Sequence, residues 1–83
     1  MSWIKFSNLF KDEWDDCSFK MELLDSVDQD ERIAWVVYGS FLGDSLGWMK
    51  REVPDLDGEK PIEAIKTESG KSKIKSTLMS MPR

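Results

Sequence analysis

The sequence contains no histidine and only one cysteine, Cys17. Without histidine it lacks the side chain that most often acts as a general base, binds a transition metal or titrates near neutral pH. A single cysteine can form neither an intramolecular disulfide nor a thiolate metal cluster. The sequence therefore predicts a protein that is not an enzyme and that has neither a cofactor nor a metal site.

Long hydrophobic runs are also missing. The apolar patch over residues 33–42 is interrupted by Gly39 and Ser40, and no stretch approaches the ~20 apolar residues that a membrane-spanning helix needs. The N-terminal residues, MSWIKFSN, lack the uninterrupted apolar run of a signal peptide. We therefore expect a cytoplasmic protein that does not contact membranes.

The chain has 83 residues, which is enough for one domain, expected to span residues 1–83. Its four Trp, four Phe, one Tyr and five Met can supply a modest core without cross-links. Domains of this size are often only marginally stable alone, and many depend on a partner or on oligomerisation. Association is therefore expected to matter, and the sequence leaves homodimerisation open.

The net charge of −4 is unevenly distributed. Residues 1–45 carry ten acidic and four basic side chains, whereas residues 46–83 carry six acidic and eight basic ones. An acidic first half argues against DNA binding there, because phosphate contacts require Lys and Arg. The acids of residues 12–16 lack the alternating spacing of a calcium loop, which favours solvated surface.

The first segment has aromatic residues three or four positions apart: Trp3, Phe6, Phe10 and Trp14. This spacing predicts one helix over residues 3–14 with an apolar stripe that lies mainly in the core. The aromatic surface exceeds what one short helix needs, so Trp3 and Phe10 are also candidates for partner contact. Residues 17–23 fit either a short extended piece or a helix.

The central segment has the features of a buried helix. Asp28 can cap its start, with Glu31 three positions later, and Gly43 can end it in a left-handed conformation. A following helix is expected from Asp44–Ser45 to about Glu52. The expected buried face consists of Ile33, Val36, Val37, Tyr38 and Phe41.

Prolines and glycines divide the second half. Pro54 opens a loop over residues 53–60 with a turn at Asp57–Gly58. Pro61 is suited to the first position of a helix that runs to about residue 67. Gly70 is expected to end it, before a last helix over residues 72–79. The predicted fold is an all-α, compact domain of four or five short helices.

Residues 48–78 read WMKREVPDLDGEKPIEAIKTESGKSKIKSTL. A Trp-Met pair, a proline, a Leu-x-Gly-x-x-Pro run, a Thr, a Gly and a final apolar helix follow one another. In order and spacing this stretch resembles the C-terminal toxin-binding domain of the MbcA/ParS/Xre antitoxins, over about 31 of the 83 residues. The matching residues, expected to be mainly structural, are Trp48, Met49, Pro54, Leu56, Gly58, Pro61, Thr67 and Gly70.

This resemblance implies inhibition by binding. Antitoxins of this family typically neutralise a RES-domain toxin, an enzyme that consumes NAD, by covering its active site. Residues 26–83 would be the toxin-binding region, and residues 1–25 an aromatic helix and its connection. Family members usually add an N-terminal helix-turn-helix that binds operator DNA, but residues 1–25 are too short and too acidic for one. We therefore do not expect DNA binding.

The partner-binding candidates lie mostly at the C-terminal end. Three lysines of the last helix could contact an acidic partner or a phosphate, although the pattern favours a solvated helix face. Methionines followed by a terminal arginine would suit insertion into a cleft, because Met adapts to irregular surfaces. The full set of candidates is Lys71, Lys73, Lys75, Met79, Met81, Arg83, Trp3 and Phe10.

Two functions follow from these observations. The first is an antitoxin-like, non-enzymatic module that binds and inhibits a partner protein, with a RES-type toxin as the family's partner. The alternative is a phage or mobile-element protein that uses the same fold to bind and inhibit a host regulatory factor, through its N-terminal aromatic residues.

Overall fold

A computed structural model describes residues 2–81, and all regular structure in that range is helical. Two 3-10 turns, Leu42–Asp44 and Pro54–Leu56, connect longer elements. The α-helices are α1 (Trp3–Asn8), α2 (Lys11–Trp14), α3 (Lys20–Ser26), α4 (Glu31–Phe41), α5 (Ser45–Met49), α6 (Pro61–Ala64) and α7 (Glu68–Ser80). The all-α prediction is confirmed, with more and shorter helices than the four or five expected. Between residues 2 and 81, no helix has both the length and the apolar character needed to cross a membrane.

Helix α4 is the centre of the domain and contacts α1, α2, α3, α5 and α7. As predicted, Ile33, Val36 and Val37 are fully buried, whereas Tyr38 and Phe41 are half-buried. Complete burial of such an aliphatic side chain contributes about 1.5–3 kcal/mol to folding. Side chains that complete the core from other elements are Leu23, Val27, Met49, Leu56, Ile65, Ile74 and Leu78.

The start and the end of α4 differ from the sequence prediction. Asp30, not Asp28, caps the helix, because its Oδ1 accepts a hydrogen bond from the Ile33 amide at 3.2 Å. Asp28 instead has a φ of 56° within the turn before the helix. At the other end Leu42, rather than Gly43, has the positive φ, 49°, and its carbonyl accepts a hydrogen bond from the Ser45 hydroxyl at 2.6 Å.

The N-terminal segment forms two helices instead of one. The amides of Leu9 and Phe10 bond to carbonyls three residues earlier, which tightens the chain and separates α1 from α2. The apolar stripe survives this break, since Phe6, Phe10 and Trp14 are all at most 9 % exposed. For the segment that the sequence left open, the helical alternative is correct from Lys20 onward.

The loop before α6 follows the sequence prediction. Asp57 and Gly58 both have positive φ, 57° and 81°, as the expected turn requires. The Val53 amide donates to the Glu59 carbonyl at 3.0 Å, which closes the loop at its base. Pro61 is the first residue of α6, where its missing N–H costs no helical hydrogen bond.

The prediction that Gly70 ends a helix is wrong. Helix α6 ends at Ala64, and α7 begins at Glu68, so Gly70 lies in the first turn of α7. Thr67 caps α7 by accepting a hydrogen bond from the Gly70 amide at 2.9 Å. Glycine is required at position 70 for a different reason: its Cα packs against the backbone of Ala64, which leaves no space for a Cβ atom.

Candidate partner-binding surface

The two ends of the described chain meet on one side of the domain. Helices α1 and α7 contact each other, and the Lys75 Nζ atom lies 5.7 Å from the centre of the Trp3 ring. The Trp3 ring is half-buried and packs at 6.1 Å against Phe6, so the core holds its inner edge. Two of the predicted partner-binding residues, 72 positions apart in sequence, are therefore neighbours.

The three lysines of α7 do not form one basic patch. Lys71, Lys75 and Met79 are four residues apart and share one side of the helix, beside the buried row that contains Ile74 and Leu78. Lys73 lies on another side and donates a hydrogen bond to Asp57 at 2.9 Å. The prediction of a single lysine surface is therefore corrected to a pair of lysines continued by Met79.

The three lysines of α7 differ in whether a carboxylate lies close to the charged group. The hydrogen bond and the negative charge of Asp57 raise the pKa of Lys73 above the ordinary 10.5. Lys71 lies 3.9 Å from the Asp30 carboxylate, and its side chain is 25 % exposed. Asp30 therefore links the start of α4 to α7, since its other oxygen caps α4. Lys75 has no carboxylate within salt-bridge distance among residues 2–81 and remains available to a partner.

Arg32 joins α4 to α1 through its guanidinium group. Its Nη1 donates to the Ile4 carbonyl at 3.3 Å, to the Ser7 hydroxyl at 2.9 Å and to Asn8 Oδ1 at 2.9 Å. Its guanidinium also lies 5.2 Å from the centre of the Trp35 ring. These contacts anchor α1 on α4. Ile4, which follows Trp3 in α1, is 57 % exposed.

We call the resulting region the α1–α7 surface and define it by Trp3, Ile4, Lys71, Lys75 and Met79. It combines partly exposed apolar groups with cations, a composition that fits an apolar cleft with acidic groups at its rim. Ile4 and Arg32 were not among the residues that the sequence predicts to bind a partner. The sequence indicates only that Ile4 lies outside the apolar stripe of Trp3, Phe6, Phe10 and Trp14. Arg32 has no local signal, because its hydrogen-bond partners are 24 to 28 residues away in sequence.

The remaining partner-binding candidates fall in different places. Phe10 is 8 % exposed, and its ring packs on Gly39 and at 5.3 Å against Phe6, so its expected role in partner contact is corrected to a core role. Met81 follows the end of α7 and is half-buried against the core. Arg83 lies outside the described residues.

The residues that resemble the antitoxin motif have structural positions. Trp48 and Met49 are buried, and the Trp48 ring stacks on Phe41 at 4.7 Å. Leu56 and Pro61 are also buried, whereas Pro54 is exposed at the start of its 3-10 turn. Gly58 lies in the turn before α6, Thr67 caps α7, and Gly70 packs against Ala64.

Within residues 2–81, no three acidic or cysteine side chains lie together in a way that could hold a metal ion. Comparison with known proteins finds no matching family model, curated protein or solved structure. The resemblance of residues 48–78 to antitoxins therefore stays a prediction.

Proposed function

We propose that this chain is an antitoxin-like module that acts in the cytoplasm, binds a partner enzyme and inhibits it by covering its active site. The observation that carries the proposal is the contact of Trp3 with Lys75, which builds one surface from both ends of the domain. The order of residues 48–78 supports the same function, because in the resembling family the C-terminal part contacts the toxin.

The chemistry of the α1–α7 surface indicates how it would bind. Trp, Met and Arg are enriched at protein interfaces, and a few large side chains usually supply most of the binding energy. Trp3 is well suited to such a role because its inner edge is packed against Phe6 and loses little freedom on binding. Lys75 would then meet a carboxylate at the rim of the partner's cleft.

A non-enzymatic role agrees with the side chains of the chain itself. There is no histidine, and the only thiol, Cys17, is buried. Inhibition would therefore come from occupation of the partner's active site and not from chemical modification of the partner.

The alternative, a phage or mobile-element protein that binds a host factor through its N-terminal aromatic residues, has less support. Phe6, Phe10 and Trp14 are at most 9 % exposed, so of the aromatic residues in that segment only Trp3 is offered to a partner. Removal of residues 1–16 would also take these side chains out of the core, so a truncation could not separate binding from folding.

The test is co-expression of the full chain with the enzyme encoded beside it, followed by co-purification and an assay of NAD consumption. Lys75→Glu and Ile4→Ser change the α1–α7 surface at exposed or half-buried positions. We expect each to weaken inhibition by about tenfold, which corresponds to ~1.4 kcal/mol.

Matched controls are Lys66→Glu and Leu42→Ser, which change the same kinds of side chain at exposed positions elsewhere. These should stay within about twofold of the unchanged chain, as is usual for surface substitutions. Failure to co-purify with the enzyme, or equal effects of surface and control variants in folded proteins, would refute the proposal.

A further inference from the structure

A shallow groove lies where the connection after α2 enters α3. It has a volume of about 310 Å³ and is lined by Cys17, Ser18, Phe19, Lys20, Met21 and Glu22. Cys17 is 6 % exposed, and the Phe19 ring packs edge-on against Tyr38 at 5.6 Å. The core therefore holds the apolar part of the groove in place.

Met21 is the feature of this groove that folding does not explain. Its side chain is 82 % exposed, the largest value among the exposed large hydrophobic residues of the described chain. It contributes almost nothing to the core, although Leu23, two residues later, is fully buried. An exposed methionine beside an apolar groove is suited to contact a partner, because its unbranched side chain adapts to irregular shapes.

The chain segment that carries the groove is strongly acidic. Residues 12–25 contain six carboxylates and one lysine, a net charge of −5. That lysine, Lys20, donates to the Asp15 backbone carbonyl at 3.3 Å and not to a carboxylate. None of the six carboxylates lies within salt-bridge distance of a basic side chain between residues 2 and 81. The negative field of this segment is therefore not neutralised by ion pairs, and Glu22 brings one of these charges into the lining of the groove.

We propose that this groove binds a basic, amphipathic segment of another protein. One large apolar side chain of that segment packs against Phe19 and Met21, while its lysines and arginines meet the carboxylates of residues 12–25. Charge complementarity selects this occupant, since the same field repels nucleic acid and anionic lipid surfaces. The inference does not depend on the proposed function, because the groove shares no residue with the α1–α7 surface.

The experiment uses the full chain as bait for a library of random 12-residue peptides. Peptides that bind should be enriched in Lys and Arg around one large apolar residue. A synthetic peptide of the enriched sequence, titrated into the ¹⁵N-labelled chain, should shift the amide signals of residues 17–22. Its affinity should fall with added salt, because exposed charges are screened within about 8 Å at physiological ionic strength.

Two variants test the two parts of the groove. Met21→Ser removes the exposed apolar side chain and should weaken binding by about tenfold. Glu22→Lys reverses one charge of the lining and should weaken it by about fivefold at low salt. Leu42→Ser and Glu52→Lys are the matched controls at exposed positions away from the groove, and each should leave the affinity within about twofold.

Three results would overturn the inference. The enriched peptides could be acidic or uncharged, or Met21→Ser could bind the basic peptide as tightly as the unchanged chain. Sedimentation of the free chain could also show a dimer that Met21→Ser dissociates, which would assign the groove to a second copy. Loss of enzyme inhibition with Ile4→Ser, but not with Met21→Ser, would keep this groove distinct from the α1–α7 surface.

Discussion

Gly70 lies directly against the backbone carbonyl of Ala64, where the first turn of α7 approaches the end of α6. Gly70→Ala would place a methyl group where that carbonyl now lies, and backbone cannot move aside as a side chain can. We expect a loss of about 1–3 kcal/mol, as is typical of overpacking, although alanine is favoured over glycine within a helix by ~1 kcal/mol. The midpoint of urea unfolding measures this loss.

Gly43→Ala is the control for this substitution, because no atom lies within 4 Å of the Cβ position at Gly43. Its unfolding midpoint should stay the same or rise slightly. Equal stability of the two variants would show that the Gly70–Ala64 contact is not restrictive.

A second close approach joins α4 to the N-terminal segment at Gly39 and Phe10. A Cβ on Gly39 would meet the Phe10 ring, which is 8 % exposed and so has little room to move. Gly39→Ala should therefore destabilise the fold by about 1–3 kcal/mol. In a double-mutant cycle with Phe10→Leu, we expect the two losses to be less than additive by about 1 kcal/mol. Strict additivity would mean that the two residues do not contact each other.

We expect Arg32 to contribute more to the free energy of unfolding than an exposed arginine does, because it bonds α1 to α4. Arg32→Met keeps most of the apolar stem but removes the hydrogen bonds to Ile4, Ser7 and Asn8. We expect a loss of about 1–3 kcal/mol, together with faster hydrogen exchange of the α1 amides.

Arg51→Met is the matched control, since Arg51 pairs with Asp44 in an exposed salt bridge. Such pairs contribute only about 0–1 kcal/mol. An Arg32 variant that is as stable as the Arg51 variant would contradict the anchoring role.

The Lys73–Asp57 pair predicts a change in stability at alkaline pH. Because the pKa of Lys73 is raised in the folded state above its ordinary value of 10.5, the folded state holds this proton more tightly than the unfolded state. The resulting stability is fully present below pH 10.5 and is lost as the pH rises through the folded-state pKa. The unchanged chain should therefore lose its small advantage over Lys73→Gln in that range.

Unfolding measured between pH 8 and 11.5 would follow this difference, and Asp57→Asn should abolish it. High salt should reduce it, because the pair is exposed. A difference that stays constant across this pH range would contradict the assignment.

Local signals in the sequence were reliable where the residue acts on its own backbone. Pro61 begins α6, and Asp57–Gly58 form the turn, because proline and glycine limit or widen the allowed dihedral angles wherever they occur. At Gly43 the expected positive φ falls on Leu42 instead, and no atom packs on the Gly43 Cβ position. Gly70 was misread for a different reason. Glycine also allows close packing, and only the neighbouring helix shows which of the two uses applies.

The candidate surface was predicted only in part. Trp3 and Lys75 were both expected to contact a partner, whereas their proximity, and the separation of Lys73 from the other lysines, came from the structure. The sequence leaves Phe10 open to both the core and the interface, and in the structure its ring packs on Gly39. Arg32 carries no sequence signal, because its partners belong to another helix.

The sequence by itself determined that the chain is helical, which apolar residues share a face, and that no histidine or cysteine pair is present. These properties depend on composition and on spacing within one element. Tertiary structure decided that the aromatic stripe becomes core, that Trp3 meets Lys75, and that Met21 stays outside. The physical reason is that helical periodicity sets which side of a helix is apolar, whereas packing against the other helices sets how much of that side remains exposed.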